Sequence, residues 1–167
     1  MVCAWNSSWG NKGVSMKNSV EVKNISFSYG KTEILNDLSL DIKEGEFMVL
    51  LGPSGCGKTT LLNCIAGLLD LTDGQIWIED DNVTWKEPKD RHIGMVFQSY
   101  ALYPSMTVEK NLSFGLRMMG TAKDLINEKI KKAANLLQIN ELLKRKPSQL
   151  SGGQRQRIAI AKAFYRN

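Results

Sequence analysis

Eight residues constrain this chain more than any others: Gly52-Pro53-Ser54-Gly55-Cys56-Gly57-Lys58-Thr59. They follow the apolar run Phe47-Met48-Val49-Leu50-Leu51 and precede Thr60-Leu61-Leu62-Asn63-Cys64-Ile65. The pattern G-x-x-x-x-G-K-T between a strand and a helix is that of a phosphate-holding loop. Glycines let the backbone curl so that successive N–H groups face one oxyanion, and the helix that starts near Lys58 adds the positive end of its dipole. Lys58 is placed to reach β- and γ-phosphates, and the Thr59 hydroxyl to ligate Mg²⁺ beside them. The nucleotide-binding set therefore runs from Gly52 through Pro53, Ser54, Gly55, Cys56, Gly57, Lys58 and Thr59 to Thr60. Cys56 occupies a position the pattern leaves free and is read as a bystander.

The run 47–51 is apolar without alternation, which predicts a parallel strand covered on both faces. Residues 20–29 and 36–42 alternate and predict half-buried strands; residues 75–78 and 93–97 predict two more. Helices are expected over 59–69, 122–143 and 152–165, the second from the spacing of Ile126, Ile130, Ala133, Ala134 and Leu137. Strands first and helices after make an α/β chain with a helical part. The three cysteines among 167 residues have no paired metal-ligand spacing, and no apolar run reaches the roughly 18 residues of a membrane span, so a disulfide framework, a zinc site and a spanning helix are not expected. Charge is uneven: residues 1–116 carry 10 Lys/Arg against 14 Asp/Glu, residues 117–167 carry 12 against 3. The basic half is read as a solvated helical region, with no nucleic-acid partner.

A phosphate loop alone serves kinases, GTPases, helicases and transport ATPases. A second motif narrows the choice. Leu150-Ser151-Gly152-Gly153-Gln154, continuing R-Q-R-I-A-I-A-K-A, sets a serine and two glycines at a helix start, another ready anion site. Taken together the motifs resemble the ATP-binding cassette (ABC) family, in which L-S-G-G-Q is the signature that meets the γ-phosphate held by the opposite subunit's loop. The resemblance runs from about residue 20 to the end of the sequence. It implies that Tyr29, in F-S-Y-G, stacks on adenine. It implies that Gln98, after I-G-M-V-F, approaches Mg²⁺ and the attacking water, making Lys58 and Gln98 the catalytic pair of this chain and Thr59 and Gln98 its metal ligands. Residues 99–112 are similar to importer ATPases for sugars and related solutes, so Tyr100, Leu102 and Tyr103 are expected to be exposed for docking to a transmembrane subunit.

From the resemblance follow a P-loop NTPase fold with an antiparallel β subdomain and a helical subdomain, and a set of boundaries. These are an irregular extension over 1–19 and a partial ATP-binding domain over 20–167, divided into a core about 20–97, a Q-loop and helical part about 98–150 and a signature helix about 151–166. The implied role is ATP hydrolysis coupled to solute import, with ATP and Mg²⁺. The implied partners are permease subunits, a second ATPase subunit in a head-to-tail dimer and, indirectly, a solute-binding protein, at the cytoplasmic face of the membrane. In the family an apolar strand ending in Asp-Glu and a switch histidine follow the signature helix, and neither lies within the 167 residues. The C-terminal part of the core sheet is thus expected to be missing and this chain alone to be inactive, a fragment with Met1 to Ser15 as an upstream mis-start. Ile76-Trp77-Ile78-Glu79-Asp80-Asp81, though it ends in acids, is read as a hairpin turn, and His92 as a surface or strand-entry residue. A non-hydrolysing nucleotide-binding module and a soluble, non-transport ABC ATPase are the alternatives.

Overall fold

The computed structural model describes residues 17–164 together with the pair Cys3–Ala4. Trp5, Trp9, Met16 and Tyr165, and the expectations attached to the N-terminal extension, lie outside the described residues. The elements in chain order are β1 (Cys3–Ala4), β2 (Asn18–Tyr29), β3 (Thr32–Lys43), α1 (Lys58–Ile65), β4 (Asp73–Ile78), β5 (Asp81–Asn82), β6 (Gly94–Met95), α2 (Val108–Met118), α3 (Lys123–Leu136) and α4 (Gly152–Phe164). They fall into two compact units, one holding β2 to β5 with α1 and the other holding β6 to α4 together with β1.

The first unit is built on an antiparallel sheet of order β3-β2-β4-β5. Its apolar positions do not keep a strict period of two. Along β2 the buried residues are Val20, Val22, Ile25 and Phe27, a step of three in the middle, and along β3 Leu35 and Leu38 are also three apart. Left unadjusted, such a step would turn half of each strand's apolar side chains to solvent. Irregular pairing absorbs it: Asn24 and Asp37 take left-handed backbone angles (φ 49 and 46), and the register shifts between Val22 and Ile25. The two bulges are tied together, with Asn24 Nδ2 donating to Asp37 Oδ1 at 2.7 Å and the Asn24 N–H donating to Ser39 Oγ at 2.8 Å. Strands β4 and β5 close through Glu79 and Asp80, both left-handed, with Ile78 opposite Asp81. The acids after Ile78 are therefore a hairpin turn, as the sequence predicts.

The run 47–51 departs from expectation. It takes no ladder partner among the described residues, and Phe47 and Leu51 are 80% and 88% exposed. A doubly covered parallel strand needs a neighbour at its edge and layers on both faces, and the antiparallel ladder of this unit does not extend to it. The strand over 93–97 is likewise reduced to Gly94–Met95, paired with β1.

Helices α2, α3 and α4 of the second unit share a core of Val108, Leu112, Leu116, Ile126, Ile130, Ala133, Ala134, Ile139, Leu142, Leu150, Ile158 and Ala161. Helix α3 stops at Leu136 instead of running to 143, because Gln138 turns left-handed (φ 53) and a 3-10 turn follows at Asn140–Leu142. Helix α2 is not anticipated by the apolar spacing alone, since buried Asn111 interrupts its inner face. That asparagine organises the loop before the helix. Its side-chain oxygen accepts from the Tyr103 N–H at 2.7 Å, and its amide donates to the carbonyls of Tyr103, Met106 and Thr107 at 3.0–3.2 Å. Replacing it strips four bonds from a half-buried loop and leaves the Tyr103 N–H and the Met106 carbonyl without their side-chain partner, while the Tyr103 and Thr107 carbonyls keep the N–H groups of Met106 and Asn111. Asn111→Ala is expected to lower stability by about 2–3 kcal/mol in urea unfolding, whereas exposed Asn127→Ala stays within about 0.5 kcal/mol.

Candidate functional site

The loop Gly52–Gly57 enters α1 through Gly57, whose left-handed φ of 88 makes it the N-cap without any side-chain cap. The Leu61 N–H donates to the Gly57 carbonyl at 2.8 Å, the first bond of the helix. Leu61, Cys64 and Ile65 form its buried face, which leaves Thr59 exposed on the first turn and Thr60 half-buried. A Cβ on Gly57 would lie 3.0 Å from Leu35 Cδ2, so the loop sits tightly against β3.

Lys58 folds back over the loop. Its Nζ donates to the carbonyls of Gly52 at 2.8 Å and Pro53 at 2.7 Å, and lies 3.2 Å from Cys56 Sγ. The ammonium is thus held at the centre of the curl by two neutral carbonyls, partners that an anion outcompetes by charge. Gly52, Pro53, Cys56 and Lys58 come together as one cluster; the contact to Cys56 escapes sequence reasoning, which treats that position as free. The hydrogen bond from Lys58, with its charge, holds the exposed Cys56 thiol below its ordinary pKa, while burial pushes Cys64 up to about 11.

Tyr29 closes β2 opposite Thr32, 55% exposed, with its ring edge-on to Phe27 at 4.8 Å between centroids. Phe27 thus braces the ring while much of the side chain stays open, a form suited to stacking.

In the second unit, Ser151 and Gln154 make a reciprocal cap on α4. The Gln154 N–H donates to Ser151 Oγ at 3.3 Å and the Ser151 N–H to Gln154 Oε1 at 2.9 Å. Leu150 is buried in the helical core. Gly152 and Gly153 are exposed, and a Cβ on either would meet nothing within 4 Å. Glycine costs a helix roughly 1 kcal/mol relative to alanine, and nothing in this chain's own packing calls for it there.

Gln98 is exposed after β6, at the head of a strained segment. Tyr100 and Ala101 are both left-handed (φ 65 and 46). Helix α4 holds them: Lys162 Nζ donates to the Ala101 carbonyl at 2.7 Å and lies 4.3 Å above the Tyr103 ring, and Arg155 lies over Tyr100 at 5.9 Å. Tyr100 and Leu102 are half-buried against the helical unit and Tyr103 packs on Phe114 at 4.8 Å, so only Tyr103 keeps substantial exposure. The expectation of three exposed docking residues is corrected accordingly. His92 is exposed in the turn before β6. Among the described residues no cluster of three His, Cys, Asp or Glu forms a metal site, and no helix is long and apolar enough to cross a membrane.

An α/β protein with a lysine-closed phosphate loop and a separately capped glycine helix is a nucleotide-binding cassette. Residues 35–167 match the family described as ABC transporter, and the chain belongs to it. It is 55% identical over 138 residues to the sn-glycerol-3-phosphate import ATP-binding protein UgpC of Escherichia coli K12, covering 83% of this chain and 39% of that protein. The corresponding protein of Salmonella choleraesuis is 55% identical over 137 residues, 82% of this chain and 38% of its own length. The chain thus spans well under half the length of the curated relatives it matches. Among solved structures, the dimeric ATP-binding cassette MJ0796 bound to ADP and Pi superposes with a TM-score of 0.75 at 32% identity, covering 89% of this chain and 70% of that one. CbiO1 of Clostridium perfringens, part of the ABC transporter complex cbiONQ, gives 0.79 at 29% identity over 88% and 61%.

The Cys56–Lys58 contact has a chemical readout. With Cys3 changed to serine, iodoacetamide should modify Cys56 and spare Cys64 in the folded chain. Because the lysine lowers the Cys56 pKa, the midpoint of its rate-against-pH profile should lie below that of a free thiol, about 8.5. Lys58→Met should move the midpoint upward, as mass spectrometry of the alkylated peptide would register.

Proposed function

We propose that this chain is the ATP-binding part of the ATPase subunit of a membrane importer, coupling ATP binding and hydrolysis to uptake of a sugar or related solute. The observation that carries the reading is the Lys58 cluster: a cation held by neutral carbonyls inside a glycine loop at the start of a helix. The import ATP-binding protein at 55% identity supports the transport role. Incoming phosphate oxygens draw Lys58 away from Gly52 and Pro53, and the loop N–H groups with the α1 N-terminus take the remaining charge. Tyr29 offers its open ring to adenine.

Thr59 and Gln98 suit Mg²⁺, since both are exposed and offer hard oxygen donors. Magnesium bound with ATP neutralises charge on the β- and γ-phosphates. Gln98 orients the water for in-line attack at the γ-phosphorus, breaking the bond to the β–γ bridging oxygen and yielding ADP and phosphate. Ser151 and Gly153 of a second subunit face the γ-phosphate from across a head-to-tail dimer, and the open space around Gly152 and Gly153 supports that approach. Permease subunits, and through them a solute-binding protein, complete the assembly, with this subunit peripheral on the cytoplasmic face.

Titration with the fluorescent analogue mant-ATP tests the reading. The chain should bind with Mg²⁺ present, and Lys58→Ala should weaken binding about 10- to 100-fold, the loss of one or two charge-assisted hydrogen bonds. Equal binding by the variant sinks the proposal. A polypeptide limited to these 167 residues, which lack an Asp-Glu strand end after the signature helix, is expected to bind ATP yet release no phosphate above the buffer rate. Turnover by it would overturn that part.

A further inference from the structure

Arg91 lies outside every motif in the sequence, yet its environment is among the most specific in the molecule. The residue is 2% exposed. Among the described residues its guanidinium donates to four backbone carbonyls: Nη1 to Cys64 at 2.8 Å and Ile65 at 3.1 Å, Nη2 to Thr84 at 2.9 Å, and Nε to Lys86 at 2.9 Å. Cys64 and Ile65 end α1, the helix that Lys58 begins. At eight residues, with no side-chain cap at its start and no basic residue in its last turn, α1 has little of its own to set its direction. The planar fork of Arg91 supplies a cation where the helix dipole is negative and binds two consecutive carbonyls at once. Its other end is anchored through Thr84, whose Oγ1 accepts from the Ile76 N–H of β4 at 3.0 Å. Gly67 gives the fork its seat: a Cβ there would lie 2.5 Å from Arg91 Nε and 2.7 Å from Cζ. Burial pulls the guanidinium pKa down while Asp70 opposes the shift.

We infer that Arg91 is a positioning residue for the nucleotide, fixing α1 by its C-terminal carbonyls so that Lys58 and the loop at the other end are presented to phosphate in one geometry. The inference rests on the nucleotide-binding reading above. It is tested in the full chain by mant-ATP titration that reports site number and Kd separately. A residue that merely stabilises the fold lowers the number of sites and leaves the Kd of the rest unchanged. Arg91→Lys, which keeps the charge and loses the fork, is expected to keep the site number and weaken Kd about tenfold. Gly67→Ala should shift Kd in the same direction, and exposed Arg117→Lys should not. Kd within about twofold of the unmodified chain in both Arg91→Lys and Gly67→Ala, or fewer sites at unchanged Kd, overturns the inference alone. Failure of the unmodified chain to bind overturns the nucleotide reading and this one with it. Should the variants not fold, hydrogen exchange of the unmodified chain decides. Mg-ATP should slow the amides of Ala66, Gly67 and Lys86 at the far end of the tie; protection confined to residues 52–60 overturns the inference.

Discussion

Helix α1 is held at both ends by cations on backbone carbonyls. At its N-terminus Lys58 draws in the carbonyls of Gly52 and Pro53; at its C-terminus Arg91 draws in those of Cys64 and Ile65. Because neutral carbonyls give the ammonium a weaker partner than an anion does, the N-terminal end is a loaded site that ligand can take over. The C-terminal end is buried and satisfied by four bonds, so it has no comparable competitor. The asymmetry lets one end of a short helix exchange partners while the other stays put.

The helical unit repeats the theme with different chemistry. Asn111 fixes the loop before α2 through four backbone bonds, and Lys162 with Arg155 holds the left-handed Tyr100–Ala101 turn that follows Gln98. The signature helix is therefore the element that disciplines the segment after Gln98, while its own N-terminus, capped by Ser151 and Gln154, keeps two glycines open to whatever approaches. The cap and a role toward phosphate are compatible, since Ser151 Oγ only accepts in the cap and keeps its O–H to donate, and the exposed glycine backbone is untouched.

Much of the site was legible because its chemistry is local. Gly57, Lys58 and Thr59 lie within one turn, and Ser151 through Gln154 within another, so fixed spacing sufficed. Asn111 could have been found from its place on the apolar face of α2, between Val108 and Leu112. Arg91 and Lys162 left no such trace, because the carbonyls that tie them to another element, those of Ile65 and Ala101, lie 26 and 61 residues away. The expectation at 47–51 failed for a related reason: apolar composition states what a strand could bury and says nothing of whether a neighbour is there to cover it.

The order of residues alone determined the kind of ligand this chain can hold, since a glycine loop running into a lysine and a helix makes an anion site wherever it folds. Alternation over 20–29 and 36–42 also announced two strands, although the step of three from Val22 to Ile25, which demands a bulge, emerged only in the structure. Only the tertiary structure decided how that bulge is closed, through Asn24 and Asp37 on facing strands, and which distant segments Arg91 and Lys162 tie to the two working helices. The division is physical: spacing within a turn fixes direction and chemistry, whereas a buried guanidinium finds its carbonyls only after segments far apart in the chain have packed.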